Sequence, residues 1–195
     1  MRSIWKSPSG MRCKDIGNNL FLFVFNNKED YDWVLRQESW LFDKSLVLLQ
    51  KLHEEVHPSK VEWKTCLLRV RVYGVPLVCM SYKVGQIIGQ SMGVTEEVEW
   101  VKDRGNQGSY FHLRVLVPIN EPLRRGMNLA CGCLGKVWVY FKYEKLPNFC
   151  FVCGCLGHVE RDCLMERSRR DKGDMAVCNY GQWLRVKDMS RPMNS

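Results

Sequence analysis

Cys150, Cys153, His158 and Cys163 fall within fourteen residues in the spacing C-x2-C-x4-H-x4-C, and nothing else in the chain constrains it as tightly. Three thiolates and an imidazole are the donors a tetrahedral Zn²⁺ takes, and four protein ligands leave no coordination position open for water. The spacing therefore predicts one structural Zn²⁺ rather than a catalytic one. So short a loop cannot bury a core, so metal binding must supply its folding free energy, on the order of 10 to 16 kcal/mol at neutral pH. Gly154 and Gly157 stand where the chain must turn tightly, which glycine does because it tolerates positive φ. Cys155 lies too close to Cys153 for the chelate turn and is expected as a free thiol. Cys131 and Cys133, with one residue between them, lack a convincing fourth partner for a second site.

The other residues number enough for one compact domain plus an appendage, or for two small domains. With 46% hydrophobic residues and seven Trp, a packed core is expected. Leu20–Phe25 reads as a buried strand, 27–37 as a helix, and 45–52 as another strand. A polar break at 53–60 follows. Beyond it, 67–73, 96–101, 110–117 and 136–143 read as strands, 81–92 as a helix closed by Gly93, and 121–129 as a short helix. The order strand, helix, strand, strand, helix, strand predicts an α+β fold of the ferredoxin-like, RRM-like split βαβ kind. The expected organisation is a truncated first unit over 1–52, a second unit over 62–146, the metal loop over 147–164 and a basic, mostly flexible tail over 165–195. Within the tail, Trp183 and Leu184 read as a short docking segment.

The metal loop resembles the zinc knuckles of retroviral nucleocapsids and plant retroelement proteins. That resemblance implies that Phe151 and Val159 form an apolar platform for an unstacked base, with Arg161 beside it, because zinc knuckles recognise single-stranded RNA. A knuckle that only docks protein is the alternative. Further stretches carry a wider resemblance: Gly17-Asn-Asn-Leu-Phe-Leu-Phe-Val-Phe25, Ser39-Trp40-Leu-Phe-Asp43, Val70-Arg-Val-Tyr-Gly-Val-Pro76, Tyr143-Glu-Lys-Leu-Pro-Asn-Phe-Cys150 and Tyr180-Gly-Gln-Trp-Leu-Arg185. They are similar to a plant family that pairs an uncharacterised N-terminal domain with a CCHC knuckle, often in first-reading-frame proteins of LINE-type retrotransposons. This resemblance implies a nucleic-acid-binding protein of retroelement origin and no enzyme. Members usually begin with a further strand and helix that this sequence, opening at Met1-Arg-Ser-Ile-Trp5, lacks.

Strand alternation sorts the second unit into two faces. Leu68, Val70, Val72, Phe111, Leu113, Val115, Val137, Val139 and Phe141 make a core. The opposite face collects Arg69, Arg71, Tyr73, Tyr110, His112, Arg114, Trp138, Tyr140 and Lys142, the mixture of aromatic and cationic groups on which bases stack and phosphates are tracked. A covering domain or partner is the alternative use. A net charge of +8, with Arg167, Arg169, Arg170 and Lys172 following the metal loop, fits single-stranded RNA or DNA as the partner. A homo-oligomer or protein partner stays open, and no membrane is expected. Lacking an apolar leader, the chain is expected inside the cell, in the nucleus ahead of the cytoplasm. His53-Glu-Glu-Val-His57 fits the zincin pattern H-E-x-x-H, but it runs straight into Pro58, which leaves no helix to present two His on one face.

Overall fold

A computed structural model of the protein describes residues 5, 10–37, 39–52, 61–102, 108–165 and 179–186. The His53–His57 motif, residues 103–107 and the basic run at 167–172 lie outside the described residues. The chain divides into two compact units, residues 1–63 and 64–195.

In the first unit, β1 (Met11–Gly17) and β2 (Leu20–Phe25) pair antiparallel. Asn18 and Asn19 join them with φ of 52° and 60°, the backbone of a type I′ turn, which Asn tolerates better than most residues. Helix α1 (Lys28–Arg36) starts where the Asn27 side chain accepts the Asp30 amide at 2.8 Å. A second hairpin joins β3 (Trp40–Phe42) to β4 (Ser45–Val47). Trp5, Met11 and Val34 are buried together, with Phe23, Phe25 and Trp40 packed around them. The Trp5 ring meets Phe23 edge-on at 4.6 Å. Phe21, by contrast, is exposed.

Two expectations fail here. The predicted strand over 45–52 stops at Val47, because β3 offers only three residues to pair. Two separate hairpins stand in place of one truncated RRM-like sheet. Strand β1 was also not legible: of its seven residues only Met11 is buried, so main-chain pairing with β2 holds it rather than an apolar face.

The second unit is built on β5 (Thr65–Tyr73), β6 (Val94–Val101), β7 (Tyr110–Pro118), β8 (Gly126–Ala130) and β9 (Lys136–Tyr143). They form one antiparallel sheet in the order β6-β7-β5-β9-β8. The predicted core face is buried at Leu68, Val70, Val72, Phe111, Leu113, Val115, Val139 and Phe141, and half-buried at Val137. Each fully buried side chain of this kind contributes on the order of 1.5 to 3 kcal/mol.

Helix α2 (Tyr82–Gln90) begins at Ser81, whose hydroxyl accepts the Val84 amide. Gly85 and Gly89 lie buried on it, where a Cβ would run into Val98 and Thr95. They are packing contacts. Among the described residues no helix is long and apolar enough to cross a membrane.

The helix predicted over 121–129 does not form: Gly126–Ala130 is strand β8, paired with β9. Gly126 is a poor helix residue, and a Cβ there would come within 2.7 Å of the Trp138 ring, so the bare backbone lies flat under the indole. The fold is therefore mixed α+β with an extra edge strand where the split βαβ pattern calls for its second helix. Gly93 is likewise not a left-handed helix cap. Its missing side chain lets the chain pass against the Leu116 carbonyl.

Candidate metal centre and nucleic-acid interface

Beyond β9 the chain turns through Lys145, at φ 44°, into the Cys150–Cys163 loop. The Gly154 amide donates to the Cys150 carbonyl at 2.8 Å, and the Cys150 amide to the Cys155 carbonyl at 3.0 Å, closing a tight turn. Gly154 and Gly157 carry φ of 79° and 85° there. The Cys155 amide also donates to Cys153 Sγ at 3.4 Å, the kind of outer contact that orients a ligating sulfur. A further support was not foreseen: Glu160 Oε1 accepts the Phe151 amide at 2.9 Å.

The loop brings one donor atom from each of Cys150, Cys153, His158 and Cys163 to within 4.8 Å of every other. Cys153 Sγ and His158 Nε2 stand 3.3 Å apart. A tetrahedral zinc ion with bonds of about 2.0 to 2.3 Å places its ligand atoms about 3.5 to 3.8 Å from one another, so these four side chains can hold such an ion with small adjustments. Cys150 and Cys163 are buried, while Cys153 and His158 are half-buried. Burial pushes the Cys150 thiol up to about 12 and raises Cys153 as well. A bound cation reverses that preference and draws out the thiolates. Cys155 faces the Asn120 carbonyl at 3.9 Å, and Cys131 is a buried free thiol. They make no second metal cluster among the described residues. Of the expected base platform, Phe151 and Val159 are half-buried and Arg161 is exposed, with Phe151 leaning on Phe149 at 5.0 Å.

All nine polar and aromatic residues predicted for the outer face of the sheet come to that face, and the register arranges them in tiers. Tyr110, Tyr73 and Tyr140 follow one another across β7, β5 and β9, with Trp138 next along β9. The neighbouring tier is His112, Arg71 and Lys142. Arg69 lies opposite Arg114 in the third. Cations lean over rings: Arg71 lies 5.2 Å from the Tyr110 centroid and Lys142 5.4 Å from that of Tyr73. Tyr140 and Trp138 remain the most open rings, 56% and 42% exposed.

Sequence reasoning missed the carboxylates on this face. Arg114 meets Glu96 at 3.4 Å and Glu97 at 3.7 Å. His112 sits between Glu99, at 3.2 Å, and Glu144, at 3.4 Å, while Arg71 Nε contacts Glu144 at 2.5 Å. The close contacts with His112 and Arg71 hold the Glu144 carboxyl down at about 2, and the same contact with Glu144 raises His112 above its usual range. The alternation Glu97, Val98, Glu99 was a signal for two of these groups. Glu144 lies beyond the strand end and carried none.

Residues 117–165 match the family model of the zinc knuckle. The chain carries a zinc knuckle. The knuckle match begins in β7 and runs through β8 and β9, so the matched unit includes strands as well as the metal loop. Residues 1–60 match the model of a domain of unknown function, DUF4283. Comparison with curated proteins and with solved structures gives no match.

The knuckle is fastened to the sheet by the segment that follows it. The Tyr180 amide donates to the Phe151 carbonyl at 3.2 Å, and the Tyr180 ring fills the space a Cβ on Gly154 would need. Leu184 is fully buried. Arg185 donates to the Leu146 and Pro147 carbonyls and covers the Phe149 ring, and the Val186 amide donates to the Tyr143 carbonyl at 3.0 Å. Residues 179–186 thus pack as a strap that is longer than the docking segment expected at Trp183 and Leu184, with Leu184 buried in it and Trp183 left exposed. From the other side, the Leu123 amide donates to the Gly154 carbonyl at 2.9 Å.

Proposed function

We propose that this protein is a non-catalytic, zinc-dependent binder of single-stranded nucleic acid, with RNA ahead of DNA, of the retroelement-derived type. The closed set of three sulfurs and one imidazole carries the reading, because it uses all four positions of the ion for structure and leaves none for chemistry. Zn²⁺ holds the knuckle's shape, Phe151 and Val159 meet an unpaired base, and Arg161 meets phosphate. The outer face of the sheet adds stacking at Tyr140 and Trp138, with cations alongside, and stacking of this kind is worth about 1 to 3 kcal/mol per base. The strand order β6-β7-β5-β9 supports reading the second unit as a split βαβ derivative that uses its open face as RRM-like domains do. A DUF4283 domain and a zinc knuckle in one chain, in that order, support the retroelement reading.

The test is a binding titration of unstructured RNA and DNA oligonucleotides against zinc-loaded protein and Cys153→Ser. Tight single-strand binding that the substitution weakens at least tenfold supports the proposal; equal binding by both proteins refutes it. A second reading, a protein-assembly module, draws on Leu77 and Val78, which stand 72% and 83% exposed. Size exclusion after nuclease treatment separates the two, since an assembly module keeps its oligomer without RNA.

A further inference from the structure

The Glu144 carboxylate bridges two basic groups with separate oxygens, Oε1 to Arg71 Nε at 2.5 Å and Oε2 to His112 Nε2 at 3.4 Å. A phosphodiester presents its two non-bridging oxygens to a pair of donors in the same way. Neither donor is used up by the contact. The Arg71 guanidinium carries five N–H groups and meets Glu144 through one nitrogen, and His112 Nε2 is buried without a hydrogen bond of good geometry. Lys142 pairs with Arg71 across the strands, and Arg69 lies on the same face two residues away. The open ring of Tyr140 stands in the adjoining tier, opposite Tyr73. A phosphate at the position of the Glu144 carboxylate would therefore have cations around it and a stacking surface for its own base beside it.

We infer that Arg71 and His112 form a phosphate subsite of the sheet and that Glu144 occupies it in the free protein as an internal competitor, which a nucleic-acid phosphate displaces. The inference rests on the nucleic-acid reading of this face. A carboxylate tethered to the site sets an affinity threshold: isolated phosphates do not displace it, whereas a strand also held by stacking and by the knuckle does. It also lowers the positive charge of the face until it is engaged, which disfavours a duplex that offers only backbone charge.

Glu144→Gln tests this. The variant should bind an unstructured RNA oligonucleotide three- to tenfold more tightly than wild type, and its plot of log affinity against log salt should steepen by up to about 0.7, because no displaced carboxylate offsets the counterions that the phosphate releases. Glu99→Gln, which touches only His112 of the pair, should change affinity less. Unchanged or weaker binding by folded Glu144→Gln overturns the inference and leaves Glu144 a purely structural ion pair. If that variant does not fold, Glu144→Asp, which withdraws the carboxylate by one methylene, should raise affinity in the same direction; unaltered affinity overturns the inference equally. Titration with inorganic phosphate, read at the His112 ring by NMR, separates this from failure of the nucleic-acid reading. A His112 shift in Glu144→Gln at phosphate concentrations that leave wild type unmoved supports the subsite even if no oligonucleotide binds, and no shift in either protein overturns it.

Discussion

At the scale of single residues, Gly154 shows how tightly the metal loop is specified. Its φ of 79° is one that side chains resist, and the Tyr180 ring occupies the place of a Cβ. Gly154→Ala is expected to destabilise the second unit by roughly 1 to 2 kcal/mol from backbone conformation alone, with more from displacing Tyr180, as a shift in its thermal melting would show. Cysteine substitution should divide along the geometry. Cys153→Ser loses the metal, whereas Cys155→Ser, whose parent thiol faces Asn120, keeps one zinc per chain by elemental analysis. His112 offers a pH test. Its partner Glu144 raises its folded pKa, so the contact contributes stability that is complete below about 6.5 and is lost as pH rises through the folded value. Glu144, held at about 2, contributes stability that is present above about 4.3 and lost as pH falls through 2. The network is therefore strongest between about pH 4.3 and 6.5. By NMR the His112 midpoint should lie above the ordinary histidine value and fall in Glu144→Gln.

At the scale of elements, the strap over 179–186 makes the knuckle part of the sheet rather than a bead on a tether. Leu184→Ala removes a fully buried side chain and should cost about 2 to 5 kcal/mol. It should also speed amide exchange in the knuckle with zinc still bound; unchanged exchange would show that the strap holds nothing. The knuckle was the most legible element, because its ligands, spacing and glycines are local in sequence and the ion imposes their geometry. Strands β5, β7 and β9 were legible because burial on one face writes a two-residue period into them. Strand β1 left no such period, since pairing alone holds it. Strand β8 was misread as helix because its pairing with β9, which brings the Val139 carbonyl and the Trp138 ring against Gly126, is a contact that only the folded sheet creates. For the same reason the pairing of Glu99 with His112 was out of reach: it depends on a register that shifts between Thr95 and Glu97.

At the scale of the molecule, the chain joins a DUF4283 match over residues 1–60 to a knuckle match over 117–165, with a net charge of +8. Much of the cationic charge on the sheet is met by Glu96, Glu97, Glu99 and Glu144, so the surplus available to a polyanion there is smaller than composition implies. Under the proposed function, base stacking and the knuckle supply a large share of single-strand affinity, and salt should weaken binding with a log-log slope of about −0.7 for each phosphate contacted. The most direct test titrates one unstructured RNA oligonucleotide against the protein, by fluorescence anisotropy, before and after zinc is stripped and then restored. The account predicts binding at one zinc per chain, at least a tenfold loss on stripping, and recovery on restoration. Equal affinity in the loaded and stripped protein would contradict it.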